Sequence, residues 1–429
     1  MFELAVKKVD ITPPSPLTLG GYMDRTALSS GVLHPLYATV FVMSDTKQKT
    51  VIITLDVLGV DRSMCKSIRD MVSIHSDIPA HHIMINASHT HAGPEAARFG
   101  DMGSFFIKAQ PTKEDLAYYH NLSNTIASTI LEIESSLQQV KIYVSQTAIE
   151  GVASNRIDPM RPVDNKATIL TFYDVQDRCI AMLTHYACHP TVIDAANTLF
   201  SNDFISYFNQ SVEQSIQGCI SAYMQGCAGE ISTRYTRKGS GATEAARIGQ
   251  LLAKQVLTAI TASKTKLTPD IIINETDLVL DIRSFEPEKE YAEKIKQANK
   301  HVEDVRNIFD DPARVRSAYV QYQGALMIDL IRKTIDVDHI DATMQMIQLG
   351  EVTLISTPGE TFTKIQKDIQ ALDLDRTIIV SGYTNGYVGY IPDEDTYDDP
   401  NVYENNMTVI AKNSHQKIVD AASMLLSKK

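Results

Sequence analysis

The sequence lacks several features that would place a protein in a specialised class. Its 429 residues include no tryptophan and only five cysteines, an odd number without a Cys-x-x-Cys pair, so no disulfide framework is indicated. No apolar run approaches the length of a transmembrane helix. The amino terminus has no basic start followed by an apolar core, so no signal peptide is indicated and we expect a cytoplasmic protein.

Charge and composition narrow the class further. Asp and Glu number 52 against 40 Lys and Arg, and the net charge of −12 argues against a nucleic-acid partner. Apolar residues make up 44% of the chain, which is normal for a globular protein with a sizeable core. The composition is therefore that of a globular protein that does not bind nucleic acid.

The order of apolar and helical segments predicts helices layered on β-sheets. In the amino-terminal half, short apolar runs such as 39–43 and 167–172 alternate with helical stretches such as 62–73 and 114–137. The charge-rich segment near 285–336 is helical in pattern and predicts a helical excursion from the sheet. This excursion forms either a rim over the functional site or a pair of solvated helices outside the chemistry.

A His-x-His pair is the most informative motif. Residues 87–94 read ASHTHAGP and follow the apolar run 83–85, which is typical of a buried strand. Residues i and i+2 of an extended backbone point to the same side, so we expect the side chains of His89 and His91 to lie close together. This arrangement suits a metal ligand beside a group that transfers protons.

Three more polar clusters follow apolar runs in the same way. They are CHPT at 188–191, PGET at 358–361 and YVGYIP at 387–392. Ligand and catalytic groups of open α/β sheets gather at the carboxyl ends of the strands. Imidazole, carboxylate and phenolate groups together suit zinc, which accepts nitrogen and oxygen ligands.

In this order, the motifs resemble those of the catalytic domain of the neutral/alkaline non-lysosomal ceramidases. That family carries His-Thr-His-Ser-Gly-Pro, Ala-Thr-His-Gly-Thr, Gly-Asp-x-Ser-Pro, Pro-Gly-Glu and Tyr-x-x-Tyr-Val-Thr-Thr motifs. The resemblance runs from VDIT at 9–12 and GGY at 20–22 to the tyrosine segment, and so spans essentially the whole chain. It implies one α/β catalytic domain, 1–429, with α/β/β/α layers and no carboxy-terminal β-sandwich domain, and the helical excursion near 285–336 belongs to this domain.

The resemblance also implies a zinc cofactor. Its ligands fall on His89, His189, Glu360 and Tyr390. Neutral imidazole and carboxylate are common zinc donors, whereas a phenol must first lose a proton, which a metal dication promotes. Tyr383 and Tyr387 compete with Tyr390 for the phenolate role, and His185 competes with His189.

The catalytic groups implied by the resemblance have separate roles. They fall on His91, Arg156, Ser232 and Tyr403. His91 protonates the departing amine or, alternatively, only orients His89. Arg156 holds the released carboxylate through the planar fork of its guanidinium, with Arg161 as a substitute. Tyr403 donates a hydrogen bond to the developing oxyanion.

Ser232 lies in a segment that departs from the family motif. GCAGEIST at 226–233 has Glu230 where the family has Asp, and Thr233 where the family has Pro. The hydroxyl of Ser232 is expected to bind the substrate amide or head group. A nucleophilic serine is the alternative, but no Gly-x-Ser-x-Gly elbow surrounds it.

Three further polar residues lie at the ends of predicted elements. They are Asp56, Asn202 and Asp203. Each is either a helix cap or a hydrogen-bond partner of a ligand histidine, and capping is favoured for Asn202 and Asp203 because a helical pattern follows them.

The motifs together predict a zinc-dependent amidohydrolase that cleaves an N-acyl amide with metal-activated water. The resemblance makes ceramide the nominal substrate, hydrolysed to sphingosine and fatty acid. Two alternatives stand beside it: an amidase that acts on another N-acylated small molecule, and a catalytically silent metal- or ligand-binding protein. The expected partner is a small-molecule N-acyl amide, which is a lipid if ceramide is the substrate.

Overall fold

The computed structural model describes residues 1–14, 16–22, 25–95, 112–308, 312–335 and 337–428. The strands are β1 (Phe2–Asp10), β2 (Gly31–Val32), β3 (Tyr37–Ser44), β4 (Lys49–Leu55), β5 (Ile83–Ala87), β6 (Gln138–Ala148), β7 (Ser154–Asn155), β8 (Lys166–Tyr173), β9 (Cys179–Tyr186), β10 (Leu199–Phe200), β11 (Ile220–Gln225), β12 (Ile231–Ser232), β13 (Thr265–Lys266), β14 (Ile271–Asp281), β15 (His339–Leu349), β16 (Val352–Ser356), β17 (Glu360–Thr361), β18 (Thr377–Ser381) and β19 (Tyr390–Ile391). The helices are α1 (Arg62–His75), α2 (Lys113–Ile133), α3 (Asp203–Ser215), α4 (Ala242–Ala262), α5 (Glu288–Ile308), α6 (Pro312–Thr334), α7 (Thr363–Gln370), α8 (Tyr403–Met407) and α9 (Ser414–Ser427).

The larger sheet has the strand order β11-β9-β8-β6-β1-β3-β4-β5, and β13 also pairs with β6. The β4–β5 pair at one edge and the β9–β11 pair at the other are parallel, while the pairs between them are antiparallel. Side chains alternate between its faces: in β3, Phe41 and Met43 belong to one core and Val40 and Val42 to another. Both faces are therefore apolar, and each is covered.

The smaller sheet, β14-β15-β16-β18, packs face to face with the larger one. Leu349, Leu354 and Ile379 of the smaller sheet share a core with Phe41 and Phe172 of the larger sheet. Helices α1, α2, α3 and α4 cover the outer face of the larger sheet, and α7 and α9 cover the smaller one. These layers confirm the α/β/β/α fold expected from the motifs.

Two buried amides join the edges of the larger sheet. Gln225, at the end of β11, donates its backbone N–H to Asn86 Oδ1 over 2.9 Å and its Nε2 to the Ser88 carbonyl over 2.9 Å. Asn86, in β5, donates in turn to the Gly382 carbonyl over 2.8 Å, just beyond β18 of the smaller sheet. The carboxyl ends of β5, β9, β11 and β18 therefore meet in one place.

Helices α5 and α6 confirm the helical excursion expected near 285–336, of which residues 309–311 and 336 lie outside the described ranges. Val302 and Val305 of α5 pack with Ala318 of α6. A Cβ added at Gly324 of α6 would lie 3.1 Å from Cβ of Asn406 in α8, so the excursion packs closely on that short helix. Within the described ranges, every helix is too short or too polar to span a lipid bilayer.

Candidate metal and catalytic centre

Backbone carbonyls fix the imidazoles of His89 and His189. His89 follows β5 in a left-handed backbone conformation (φ 63°), and its Nδ1 lies 2.7 Å from the Leu58 oxygen. His189 follows β9, and its Nδ1 lies 2.5 Å from the Ala228 oxygen. Because a carbonyl only accepts hydrogen bonds, Nδ1 carries the proton in both neutral rings, and each Nε2 presents a lone pair.

The carboxylate of Glu360 lies opposite these two nitrogens. Glu360 begins β17, and the parallel pairing of β17 with β19 sets it beside Tyr390. Its Oε2 lies 3.3 Å from His89 Nε2 and 3.0 Å from His189 Nε2. Its Oε1 accepts a hydrogen bond of 2.6 Å from the hydroxyl of Tyr387. One carboxylate oxygen is thus held by a phenol while the other faces two imidazoles.

Electrostatics favour a neutral His189 and an ionised Glu360. Burial, followed by the charge of Arg156, lowers the pKa of His189 to about 3. Burial opposes the ionisation of Glu360, but His89 and His189 hold the pKa of its carboxyl well below the usual range. A neutral imidazole and an ionised carboxylate are both groups that a bound cation takes as ligands. The donor set fits a metal ion.

His91 extends the cluster to three imidazoles. Its Nε2 lies 3.2 Å from His89 Nε2, and His89, His91 and His189 each place one nitrogen within 4.8 Å of the others. The ring of Tyr22 packs edge-on against His91 with centroids 4.9 Å apart. A Cβ on Gly21 would lie 2.4 Å from His91 Cγ, so this close approach requires glycine. The position of His91 suits both a third ligand and a proton-transfer group.

A buried guanidinium holds Tyr390. Arg156 donates Nη2 to the Tyr390 hydroxyl over 2.9 Å and to the Gly229 carbonyl over 2.7 Å, and donates Nε to Glu404 Oε1 over 2.6 Å. Burial raises the pKa of Tyr390 well above its usual value, and the charge of Arg156 opposes that shift. The guanidinium therefore stabilises the ionised form of the phenol that metal ligation requires.

These contacts limit how Arg156 could meet a carboxylate. Both hydrogens of Nη2 are already donated to protein acceptors, and so is the hydrogen of Nε. A carboxylate bound through two parallel hydrogen bonds would need Nη2 together with either Nε or Nη1, so neither pair is available. Of the three guanidinium nitrogens of Arg156, only Nη1 has no hydrogen-bond acceptor among the residues that the structure describes. Arg156 can thus offer one nitrogen, not a fork, to an incoming carboxylate.

Two other tyrosines line the cluster. Tyr383 stacks on His89 with ring centroids 4.3 Å apart and planes inclined by 29°. Burial, followed by the charge of Glu360, raises the pKa of Tyr383 well above its usual value, so this phenol stays protonated. Tyr403, at the start of α8, is half-buried, and its ring centroid lies 6.2 Å from that of Tyr390.

The segment around Ser232 is tied to the arginine segment. Strand β12 pairs with β7, so Ser232 lies opposite Ser154, and it also forms an isolated parallel bridge with His189. The Ser232 hydroxyl accepts a hydrogen bond of 3.2 Å from the backbone N–H of Arg234. Glu230, which departs from the family motif, accepts a 2.9 Å bond from the Thr363 N–H at the start of α7. Its carboxylate is thus directed to a helix end.

The polar residues next to the cluster have structural partners. Asn202 stands at the N-cap position of α3 as expected, but its side chain makes no capping hydrogen bond: its amide oxygen accepts from the Ser88 hydroxyl over 2.8 Å and its nitrogen donates to Asp56. The Asp203 carboxylate accepts N–H bonds from Phe204 and from a neighbouring loop. His185 lies outside the cluster, with its Nε2 3.0 Å from the Val380 oxygen.

Sequence reasoning missed Asn86 and Gln225. Both are fully buried, and together they bring the ends of the larger sheet to the site. The available signal was a carboxamide in a strand whose other residues are mostly apolar, since a buried amide requires several hydrogen-bond partners.

Comparisons with known proteins agree with this architecture. The model of the family described as neutral/alkaline non-lysosomal ceramidase, N-terminal, matches residues 2–243. A neutral ceramidase of Drosophila melanogaster is 23% identical over 225 residues, which is 48% of this chain and 31% of that protein. Neutral ceramidase 1 of Arabidopsis thaliana is 23% identical over 223 residues, or 47% of this chain and 28% of that protein. The matched region spans about a third of the length of these curated relatives.

Solved structures share the fold over nearly the whole chain. The crystal structure of neutral ceramidase from Pseudomonas aeruginosa has a TM-score of 0.76 and 17% identity, covering 99% of this chain and 74% of that one. A ceramidase complexed with C2 has a TM-score of 0.75 and 15% identity, covering 100% of this chain and 75% of that one. At these identities the similarity establishes the fold, including the part of the chain beyond residue 243.

Proposed function

Because the chain belongs to the neutral/alkaline non-lysosomal ceramidase family, we propose that it is a zinc-dependent amidohydrolase that cleaves an N-acyl amide. The observation that carries the proposal is the convergence of the Nε2 atoms of His89 and His189 on Oε2 of Glu360. Its curated relatives are named neutral ceramidases, which makes ceramide the first substrate to test.

The residues that would hold the metal are His89, His189, Glu360 and Tyr390. A zinc ion bound there would lower the pKa of its water from 15.7 toward about 7 and would polarise the substrate carbonyl. The backbone carbonyls behind both imidazoles fix the ring orientation, and Tyr387 fixes the carboxylate. Arg156 favours the phenolate of Tyr390 through its Nη2 hydrogen bond.

The chain's own groups divide the remaining work. His91, whose ring is held beside His89 by Gly21 and Tyr22, would accept the proton that the attacking water releases and pass it to the departing amine. Tyr403 donates a hydrogen bond to the developing oxyanion. Nη1 of Arg156 contacts the released carboxylate through a single charged hydrogen bond.

Ser232 completes the substrate contacts in this proposal. Its hydroxyl binds the amide or head group of the substrate, because β12 places it beside His189. No Gly-x-Ser-x-Gly elbow surrounds it, so it is assigned a binding role and not a nucleophilic one.

The test compares hydrolysis of ceramide and of fluorogenic short-chain N-acyl amides before chelation, after chelation, and after zinc is restored. The proposal expects ceramide turnover that falls with chelation and returns with zinc. Turnover of a short N-acyl amide without turnover of ceramide identifies another amidase. Stoichiometric zinc with no turnover of any amide identifies a catalytically silent metal-binding protein.

A further inference from the structure

We infer that Tyr383 is a further active-site residue whose hydroxyl donates a hydrogen bond to an oxygen of the bound substrate. The inference rests on the proposed hydrolysis of an N-acyl amide and adds a substrate-contacting donor to that site. In this proposal the side chain of Tyr383 has two roles: its ring supports a ligand histidine, and its hydroxyl contacts the substrate.

The backbone of Tyr383 is held in a conformation that bulky residues rarely adopt. Its φ is 53°, in the left-handed region, and His89 beside it has a φ of 63°. Such conformations persist where surrounding contacts enforce them, and they concentrate at functional sites. The Tyr383 N–H donates to the Gly359 carbonyl over 3.0 Å, and its carbonyl accepts from the Ala87 N–H over 3.1 Å. Tyr383 thus links the histidine motif to the Pro-Gly-Glu turn.

The ring of Tyr383 packs on both ligand imidazoles. It stacks on His89 at a centroid distance of 4.3 Å and stands nearly perpendicular to His189 at 6.1 Å. The ring therefore lies against both imidazoles of the proposed metal site. Glu360 and Arg156 lie within electrostatic reach of its oxygen.

The hydroxyl of Tyr383 is unusual because it is buried and makes no hydrogen bond to the described residues. The side chain is fully buried, and its oxygen has no hydrogen-bond partner among the residues that the structure describes. The neighbouring hydroxyls of Tyr387 and Tyr390 are both hydrogen-bonded, to Glu360 and to Arg156. A buried donor without a partner destabilises the folded protein, so its position beside the metal donors calls for a functional explanation. An oxygen of the bound substrate supplies the missing acceptor.

The decisive variant is Tyr383→Phe, which keeps the stacked ring and removes only the hydroxyl. We expect the bound zinc per chain to stay unchanged and kcat for the N-acyl amide to fall by about 10²-fold, as for loss of one oxyanion-stabilising donor. The affinity for octanoate, a single-chain carboxylate probe, should weaken by about tenfold. Tm should stay equal or rise, because the variant removes a buried donor that lacks a partner.

Tyr186→Phe is the matched control. Tyr186 is also fully buried, but its ring packs in the core of the larger sheet beneath α3 and α4. Removing this hydroxyl should leave kcat and octanoate affinity unchanged. Equal losses in both variants would mean that a general packing defect, and not a substrate contact, explains the effect.

Other outcomes overturn the inference separately from the proposed function. Wild-type kcat and octanoate affinity in Tyr383→Phe would show that the hydroxyl contacts no substrate. Loss of zinc in that variant would make the hydroxyl a metal ligand or a structural support. If the wild type hydrolyses no N-acyl amide, the proposed function fails. Octanoate binding then tests the role of Tyr383 by itself. That role is refuted if the wild type and the variant bind octanoate equally, or if neither binds it.

Discussion

The two sheets contribute different chemistry to the site. The larger sheet supplies nitrogen donors, His89, His91 and His189, whereas the segments that follow the smaller sheet's strands supply the oxygen donors Glu360 and Tyr390. The family model ends at residue 243 and so covers the nitrogen half alone. In the proposed site both halves contribute ligands, so metal binding would depend on the packing of one sheet against the other.

The two halves also differ in what holds them. The imidazoles of His89 and His189 are anchored by main-chain carbonyls, which no single side-chain substitution removes. Glu360 and Tyr390 are anchored by side chains, Tyr387 and Arg156. Substitutions near the oxygen donors should therefore weaken the site by degrees, while loss of an imidazole should abolish it.

The largest expected effect is on the nitrogen half. His189→Ala should lose stoichiometric zinc and all metal-dependent turnover, because three remaining donors leave a weakened site. Zinc affinity measured against a competing chromogenic chelator checks this. His185→Gln is the control, since His185 bonds the Val380 carbonyl and should keep wild-type affinity. Loss of zinc in His185→Gln alone would move the ligand four residues back along the chain.

The next effect, in His91→Ala, distinguishes zinc binding from proton transfer. His91→Ala should keep zinc but lose about 10²–10⁴-fold in kcat, the usual contribution of a general acid. Metal content and turnover are measured on the same preparation, with His89→Ala as the variant that loses both. If His91→Ala and His89→Ala lose zinc equally, the metal is held by three imidazoles and the proposed division of labour is wrong.

A smaller effect is expected on the oxygen half. Tyr387→Phe removes the hydroxyl that holds Glu360 Oε1 and should weaken zinc binding by about 10–100-fold. The same chelator competition measures it. Tyr397→Phe is the control because that hydroxyl donates to the Ile410 carbonyl, outside the metal donors. Unchanged zinc affinity in Tyr387→Phe would show that Glu360 needs no side-chain support.

The smallest effect concerns the product. Arg156→Lys should weaken inhibition by fatty acid by about tenfold, because the hydrogen bonds that orient Nη1 are lost with the guanidinium. Zinc affinity is measured alongside, since the hydrogen bond to Tyr390 is lost as well. Inhibition constants for octanoate measure the change, and Tm reports any loss from the broken contact with Glu404. If Arg161→Lys weakens inhibition and Arg156→Lys does not, the carboxylate binds at Arg161.

Sequence patterns predicted the layers and the candidate donors because strand ends and apolar alternation are local properties. They did not predict how the donors meet, because this depends on Asn86 and Gln225 joining two edges of a sheet that are distant in sequence. The partners of Arg156 could not be predicted for the same reason, since Glu404 lies 248 residues away in the sequence. Its carboxylate accepts from Nε, on the side of the guanidinium that a substrate carboxylate would need. The positive φ of Tyr383 leaves no sequence signal, since tyrosine rarely adopts it.

The central claim is that the two sheets bring His89, His189 and Glu360 together to bind one metal ion. Elemental analysis of the wild-type protein, purified without chelators, tests it most directly. The account predicts about one zinc ion per chain, as expected for a single four-ligand site. Protein that is folded and contains no stoichiometric transition metal, even after dialysis against zinc, would contradict it.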